Sequence, residues 1–150
     1  MIDLDFLQFQ NLLRVKKEGD QRFIFDPIRK AWLVLQPEEL VRQLVLQYLL
    51  KEKKYKKSHI KIERGLIVNE QMKRCDLIVY DLAVNPYLLI ECKAPNIPIS
   101  EDTIWQITNY NSQLNAPYLM LTNGRHTFCC KMDYKNLQHQ FLDYIPTFVK

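Results

Sequence analysis

Glycine is nearly absent: three residues in a chain of 150. That leaves no G-x-x-x-x-G-K-[ST] phosphate loop and no glycine-rich hinge, so an ATP-driven motor and long flexible linkers are not expected. No apolar run approaches the ~18 residues of a membrane-spanning helix. The first ten residues, "MIDLDFLQFQ", lack the basic stretch and apolar run of a signal peptide. The cytoplasm is the expected compartment, with no membrane partner. Cysteine is sparse and badly spaced for a metal. Cys75, Cys92, Cys129 and Cys130 contain no C-x-x-C pair, and His126 with Cys129 makes a lone H-x-x-C. Reduced thiols on or near strands are expected rather than a zinc site.

What remains is ordinary for a globular chain, 47% hydrophobic and 25% charged. The length suits a single domain over residues 1–150. The charge is unevenly placed. Residues 51–74 hold nine Lys/Arg against three Glu, a local +6, which leaves −2 for the rest of a chain whose net charge is +4. A basic segment beside a balanced domain suits a polyanion, although a solvated helix end would look the same.

"RFIF" (22–25) and "AWLVL" (31–35) flank "DPIRK" and read as two strands and a turn. Residues 1–18 read as a short helix or an extended arm. Pro37 opens a helix with Glu38 and Glu39 in its first turn and apolar residues at helical spacing from Leu40 to Leu49. Three strands follow as a meander, at 59–68, 74–82 and 87–93, with "NEQMK" as a turn. Ser100 is an N-cap for a second helix over 101–114. Strands at 116–122 and 126–132 surround the tight turn at "NG", and "LQHQFLDYI" reads as a short closing helix. The expected order is ββ-α-βββ-α-ββ-α, an α/β or α+β sandwich around one sheet.

One strand is odd. "LLIECKAPNIP" (88–98) carries Glu91 and Lys93 at its end, then stops at prolines. Asp76 lies upstream with fourteen residues between it and Glu91, a separation that lets the two face each other across a hairpin. Glu91 and Lys93, at i and i+2, share a face. Two adjacent carboxylates repel unless a cation sits between them. Mg²⁺, which takes oxygen ligands and few carboxylates, would resolve the conflict, polarise a phosphate and activate water. Lys93 would stabilise charge on the phosphate or position the water. Two look-alikes, Glu52–Lys54 and Asp133–Lys135, have no apolar strand before them and no upstream partner. A surface ion-pair cluster is the bland alternative. On the next helix, Gln106 and Tyr110 stand at i and i+4, on one face.

The pattern D-x14-E-x-K followed by Q-x-x-x-Y resembles the PD-(D/E)XK nuclease superfamily and its RecB-like branch. "FDPIRKAWLVLQPEELVRQ", "KRCDLIVYD", "LLIECKAPNIPIS", "WQITNYN" and "LTNGRHTFCCK" together resemble the N-terminal nuclease domain of type I restriction enzyme R subunits, in its small stand-alone bacterial form. The likeness covers about residues 22–132. It implies a restriction-endonuclease-like α/β fold: a central mixed β-sheet flanked by helices, with an αβββαβ core and an N-terminal β-hairpin. It implies Mg²⁺-dependent hydrolysis of DNA, with Mn²⁺ as a substitute metal. Asp76, Glu91 and the backbone carbonyl of Cys92 would hold the metal, and Lys93 would be the catalytic lysine. Gln106 and Tyr110 would support them, and Glu39 on the first helix would complete the site. By 100° steps Glu38 lies nearer the apolar face, so either glutamate could reach it.

Lys51, Lys53, Lys54, Lys56, Lys57 and Asn123 are the candidate DNA contacts. Arg42 is a candidate to orient either glutamate. Trp32 and Trp105 are expected to pack, and His126 and His139 to be surface or edge residues. The rival reading is a DNA-binding or accessory subunit that cleaves nothing. A helicase or methylase subunit in trans and a dimer are further candidate partners.

Overall fold

The computed structural model describes residues 1–68, 71–104 and 114–148. Among these described residues, nine strands and the helix α1 follow in order: β1 (Val15–Glu18), β2 (Gln21–Asp26), β3 (Ala31–Val34), α1 (Pro37–Lys51), β4 (Ile60–Val68), β5 (Gln71–Tyr80), β6 (Pro86–Cys92), β7 (Tyr118–Thr122), β8 (Thr127–Asp133) and β9 (Gln138–Leu142). Strands β1–β3 form a small antiparallel sheet, and β4–β9 form a mixed sheet in chain order. Within the mixed sheet only β6 and β7 are parallel. The chain is thus α/β with a central mixed sheet, as expected, but it carries a second sheet where one was expected. None of its described helices is long and apolar enough to cross a membrane.

The mixed sheet is buried on both faces, which explains its unbroken apolar runs. Leu77, Val79, Leu88, Ile90, Met120 and Cys129 pack with Val41, Leu44, Val45 and Leu49 of α1. The alternate residues Ile78, Leu89, Leu119, Leu121 and Cys130 turn to the other face with Ile104 and Ala116. Period-2 alternation therefore sends the adjacent Cys129 and Cys130 to opposite sides. Both are free thiols, as is Cys92. Helix α1 starts as the sequence implies, with Pro37 in its first turn beside Glu38 and Glu39, and Lys51 in its last. These charges complement the helix dipole.

Three expectations are corrected. The closing segment is a strand, not a helix: β9 pairs antiparallel with β8 through Cys130↔Phe141 and Met132↔His139. Asp133 makes the turn, accepting from the Asn136 N–H and side-chain amide at 3.2 and 2.8 Å. This Asx turn sets a hairpin, and the i, i+4 apolar spacing of Leu137 and Phe141 was coincidental. The N-terminal hairpin gains β1, joined to β2 by the two-residue turn Gly19–Asp20, with Gly19 at φ +61°. Gln71, Met72 and Lys73 belong to β5 rather than to the turn expected there. The second helix falls mostly outside the described residues. Glu101–Thr103 is a 3-10 turn with a Ser100–Thr103 capping box.

Residues Phe6–Leu12 form a 3-10 helix against α1. The Phe6 N–H donates to the Gly124 carbonyl at 2.8 Å, and the Phe6 ring meets Tyr48 edge-on. Gly124 has φ +90°, and a Cβ there would stand 3.4 Å from Val41 Cγ2. The turn after β7 is thereby fixed against α1, near the end of β6.

Candidate active site

The site begins where two strands part. Strand β5 pairs with β4 back to Gln71, but its ladder with β6 ends at Leu77↔Ile90. Asp76 and Glu91 come one step later, where each would have faced the other. Beyond this fork the Cys92 N–H needs another acceptor. Asp76 Oδ2 accepts it at 2.6 Å, and Oδ1 accepts from Arg42 Nη2 at 2.7 Å. Asp76 is only 6% exposed, and these two donors make its burial tolerable.

The N-terminal turns of α1 supply the rest. Glu39 accepts from Arg42 Nη1 and from Gln43 Nε2, the latter at 3.0 Å. Positions i, i+3 and i+4 on one helix make this local set. Arg42 then bridges Glu39 to Asp76, 34 residues away. Burial opposes its charge, but the Asp76 hydrogen bond and the fields of Asp76 and Glu39 outweigh that and hold the guanidinium protonated. Among the described residues, Arg42 Nε and Gln43 Oε1 are buried without a hydrogen-bond partner.

On the other side of the fork, Lys93 Nζ lies 3.0 Å from Glu91 Oε1. The Glu91 side chain is 12% exposed and that of Lys93 32%, so the lysine reaches outward over a nearly buried acid. Burial pushes the Glu91 carboxyl up; Lys93 pulls it down and Asp76 pushes it up again. Burial would lower the Lys93 ammonium, but Glu91, Glu38 and Asp76 raise it on balance. Glu38 feels the same four groups. Its burial and Asp76 raise its carboxyl, Arg42 and Lys93 lower it, and Glu91 raises it. Four acids (Glu38, Glu39, Asp76, Glu91) thus face two bases (Arg42, Lys93), a local charge of −2.

That surplus has a measurable consequence. A carboxyl raised in the folded state disfavours folding above its folded pKa, and the penalty vanishes once both states are protonated. Glu38→Gln is expected to raise the melting temperature at pH 7, with the gain gone below about pH 4. A thermal melt series over pH measures it; a gain that persists at low pH would contradict the electrostatic coupling.

The other predicted residues are placed as follows. Gln106 and Tyr110, with Trp105, lie outside the described residues. Cys92 is buried, and its thiol is pushed well up by burial and by Asp76, so it stays neutral. Lys51, Lys54, Lys56 and Lys57 are exposed and Lys53 half-buried, around the C-terminal end of α1. The site uses the N-terminal end of that 15-residue helix, about 20 Å away. The Asn123 side chain faces inward, 3% exposed. Its Oδ1 accepts from the Arg125 and His126 N–H groups at 3.0 and 2.8 Å, and its Nδ2 donates to the Ile97 carbonyl at 2.8 Å. Trp32 packs edge-on against Phe25 beneath Arg14 and Lys16. His59, which follows the lysine run at 51–57, is a further residue near those lysines, and its Nδ1 lies 3.1 Å from the Tyr80 carbonyl. Sequence reasoning paired Arg42 with a glutamate of its own helix, as observed, but missed its bond to Asp76 and gave Gln43 no role; the E-x-x-R-Q spacing at 39–43 was the signal available. Among the described residues, no three His, Cys, Asp or Glu side chains converge as a ready-made metal cage.

The likeness to known proteins concerns the fold and the family. A fragment described as the HsdR subunit of a type I restriction enzyme from Vibrio vulnificus YJ016 has a similar fold, with a TM-score of 0.52 at 21% identity. The match covers 75% of this chain and 24% of that one, so this chain spans about a quarter of that structure's length. No curated protein sequence matches the chain. The family model for the type I restriction enzyme R protein N terminus (HSDR_N) matches residues 37–146, from the first turn of α1 past the end of β9. The chain belongs to that family.

Proposed function

We propose that this domain is a metal-dependent deoxyribonuclease with a PD-(D/E)XK site on a restriction-endonuclease-like core. The observation that carries the reading is the fork between β5 and β6, which gathers Asp76, Glu91 and Lys93 with the α1 acids. The donor set suits Mg²⁺. It is all oxygen, it has a charge of −2 to neutralise, and it offers two carboxylates rather than a closed cage, as Mg²⁺ prefers. Asp76, Glu91 and the Cys92 carbonyl would hold the ion, with Mn²⁺ as a substitute. The ion would supply Lewis acidity toward a phosphate oxygen. Lys93, the most exposed of the three, would offset negative charge growing on the phosphate. Glu91 sets the position of Lys93 through their 3.0 Å contact. Arg42 holds Asp76 and Glu39 in place.

The family match supports a role in a restriction system, with the cut made here. Any ATP-driven translocation would come from a motor outside these 150 residues. One observation favours a second reading, a DNA-binding subunit that does not cleave: both Asp76 oxygens already have protein partners. Incubation with linear and circular DNA in Mg²⁺ or Mn²⁺ separates the two. The nuclease reading expects cleavage by the wild type and at least about a hundredfold less by Glu91→Ala. A DNA shift without cleavage in either metal supports the second reading.

A further inference from the structure

We infer that Arg125 and His126 form a phosphate subsite for the DNA strand beside the cut, resting on the nuclease reading above. Strands β6 and β7 are parallel and end together at Cys92↔Thr122, and the Lys93 N–H donates to the Thr122 carbonyl at 2.8 Å. In sheets of this kind ligands gather beyond the carboxyl ends of parallel strands. Two segments leave that end. One is residues 95–99, the other the β7–β8 turn. Between them lies a cleft of about 270 Å³, walled by 95–99 on one side and by Asn123, Arg125 and His126 on the other.

The cleft is built rather than incidental. Buried Asn123 ties its walls together, donating to Ile97 and accepting both the Arg125 and His126 N–H groups. This fixes the backbone that carries two exposed side chains. Neither has a side-chain partner among the described residues. Arginine's planar fork matches phosphate geometry, and a histidine beside it adds a donor. The opposite wall is mostly apolar, with Asn96 its one polar residue: Pro95, Pro98 and the 43% exposed Ile97 offer a surface for a sugar or base. Pro95 is two residues beyond Lys93, at most about 7 Å along the chain. Phosphates on one strand advance about 3.4 Å along the helix axis each. The cleft therefore adjoins Lys93, and a strand held there would bring a neighbouring phosphate to it. An acidic protein surface would not need the apolar wall.

The test uses the full chain in a Lys93→Ala background, a short fluorescent DNA duplex, and a salt series in chelator. Arg125→Ala/His126→Ala is expected to weaken Kd about tenfold and to flatten the log Kd against log salt slope by about one to two. The substituted side chains are exposed, so the melting temperature should hold, which separates lost contact from lost folding. A Kd and slope equal to the parent's, while the wild type cleaves DNA, overturn the subsite alone. Weakened binding with a wild type that cleaves in no divalent metal supports the subsite and overturns hydrolysis. A parent with no DNA affinity overturns both.

Discussion

Lys93→Ala is expected to reduce DNA cleavage by about 10²–10⁴-fold while leaving DNA affinity within about threefold. The size follows from where the ammonium sits. It is the cation of the fork that reaches solvent, at 32% side-chain exposure, whereas Arg42 is buried at 9% between two acids. A phosphate arriving from solvent meets Lys93. A purely structural role predicts something different. The Glu91–Lys93 pair is partly exposed, and such pairs contribute no more than about 1 kcal/mol, so stability should barely change. The near-buried Glu91 would lose its nearest cation, and its carboxyl would move further up. Cleavage measured alongside a thermal melt distinguishes a lost chemical group from a lost fold.

The largest stability effect is expected at Arg42. Arg42→Met removes the common partner of Glu39 and Asp76, which are 8% and 6% exposed. Two carboxylates are then left without their cation, and breaking a buried pair by removing one partner costs about 3–5 kcal/mol. For a chain of this length that corresponds to a fall of roughly 10 °C in melting temperature. Because the loss is electrostatic, Mg²⁺ should raise the melting temperature of Arg42→Met more than that of the wild type. Differential scanning calorimetry with and without Mg²⁺ reads both values. A variant as stable as the wild type would mean that the Glu39–Arg42–Asp76 network holds nothing together.

Much of the site's frame was legible. Pro37 with Glu38 and Glu39 announced α1, and the apolar runs ending in Glu91 and Lys93 announced the central strands. Asp76 was found by its spacing, because hairpin separation is a local property. What stayed hidden depended on turns or on distance. "LQHQFLDYI" fits a helical period over two turns as well as a strand, and only the Asp133–Asn136 turn decides it. β1 was marked by Gly19–Asp20 alone. Arg42 was legible as a partner for a glutamate on its own helix, but not for Asp76. Its bond to Asp76 spans 34 residues and exists only because β5 and β6 part just there. Both glutamates lie beside the site: Glu39 is tied to Arg42 and Gln43, while Glu38 stands in the field of Asp76, Arg42, Lys93 and Glu91.

The most direct test of the central claim is nicking of supercoiled plasmid in Mg²⁺ by the wild type and by Lys93→Ala, with DNA binding by each measured in parallel. The account predicts nicking by the wild type that chelator abolishes, and none detectable from a Lys93→Ala protein that still binds. Undiminished nicking by Lys93→Ala would contradict it.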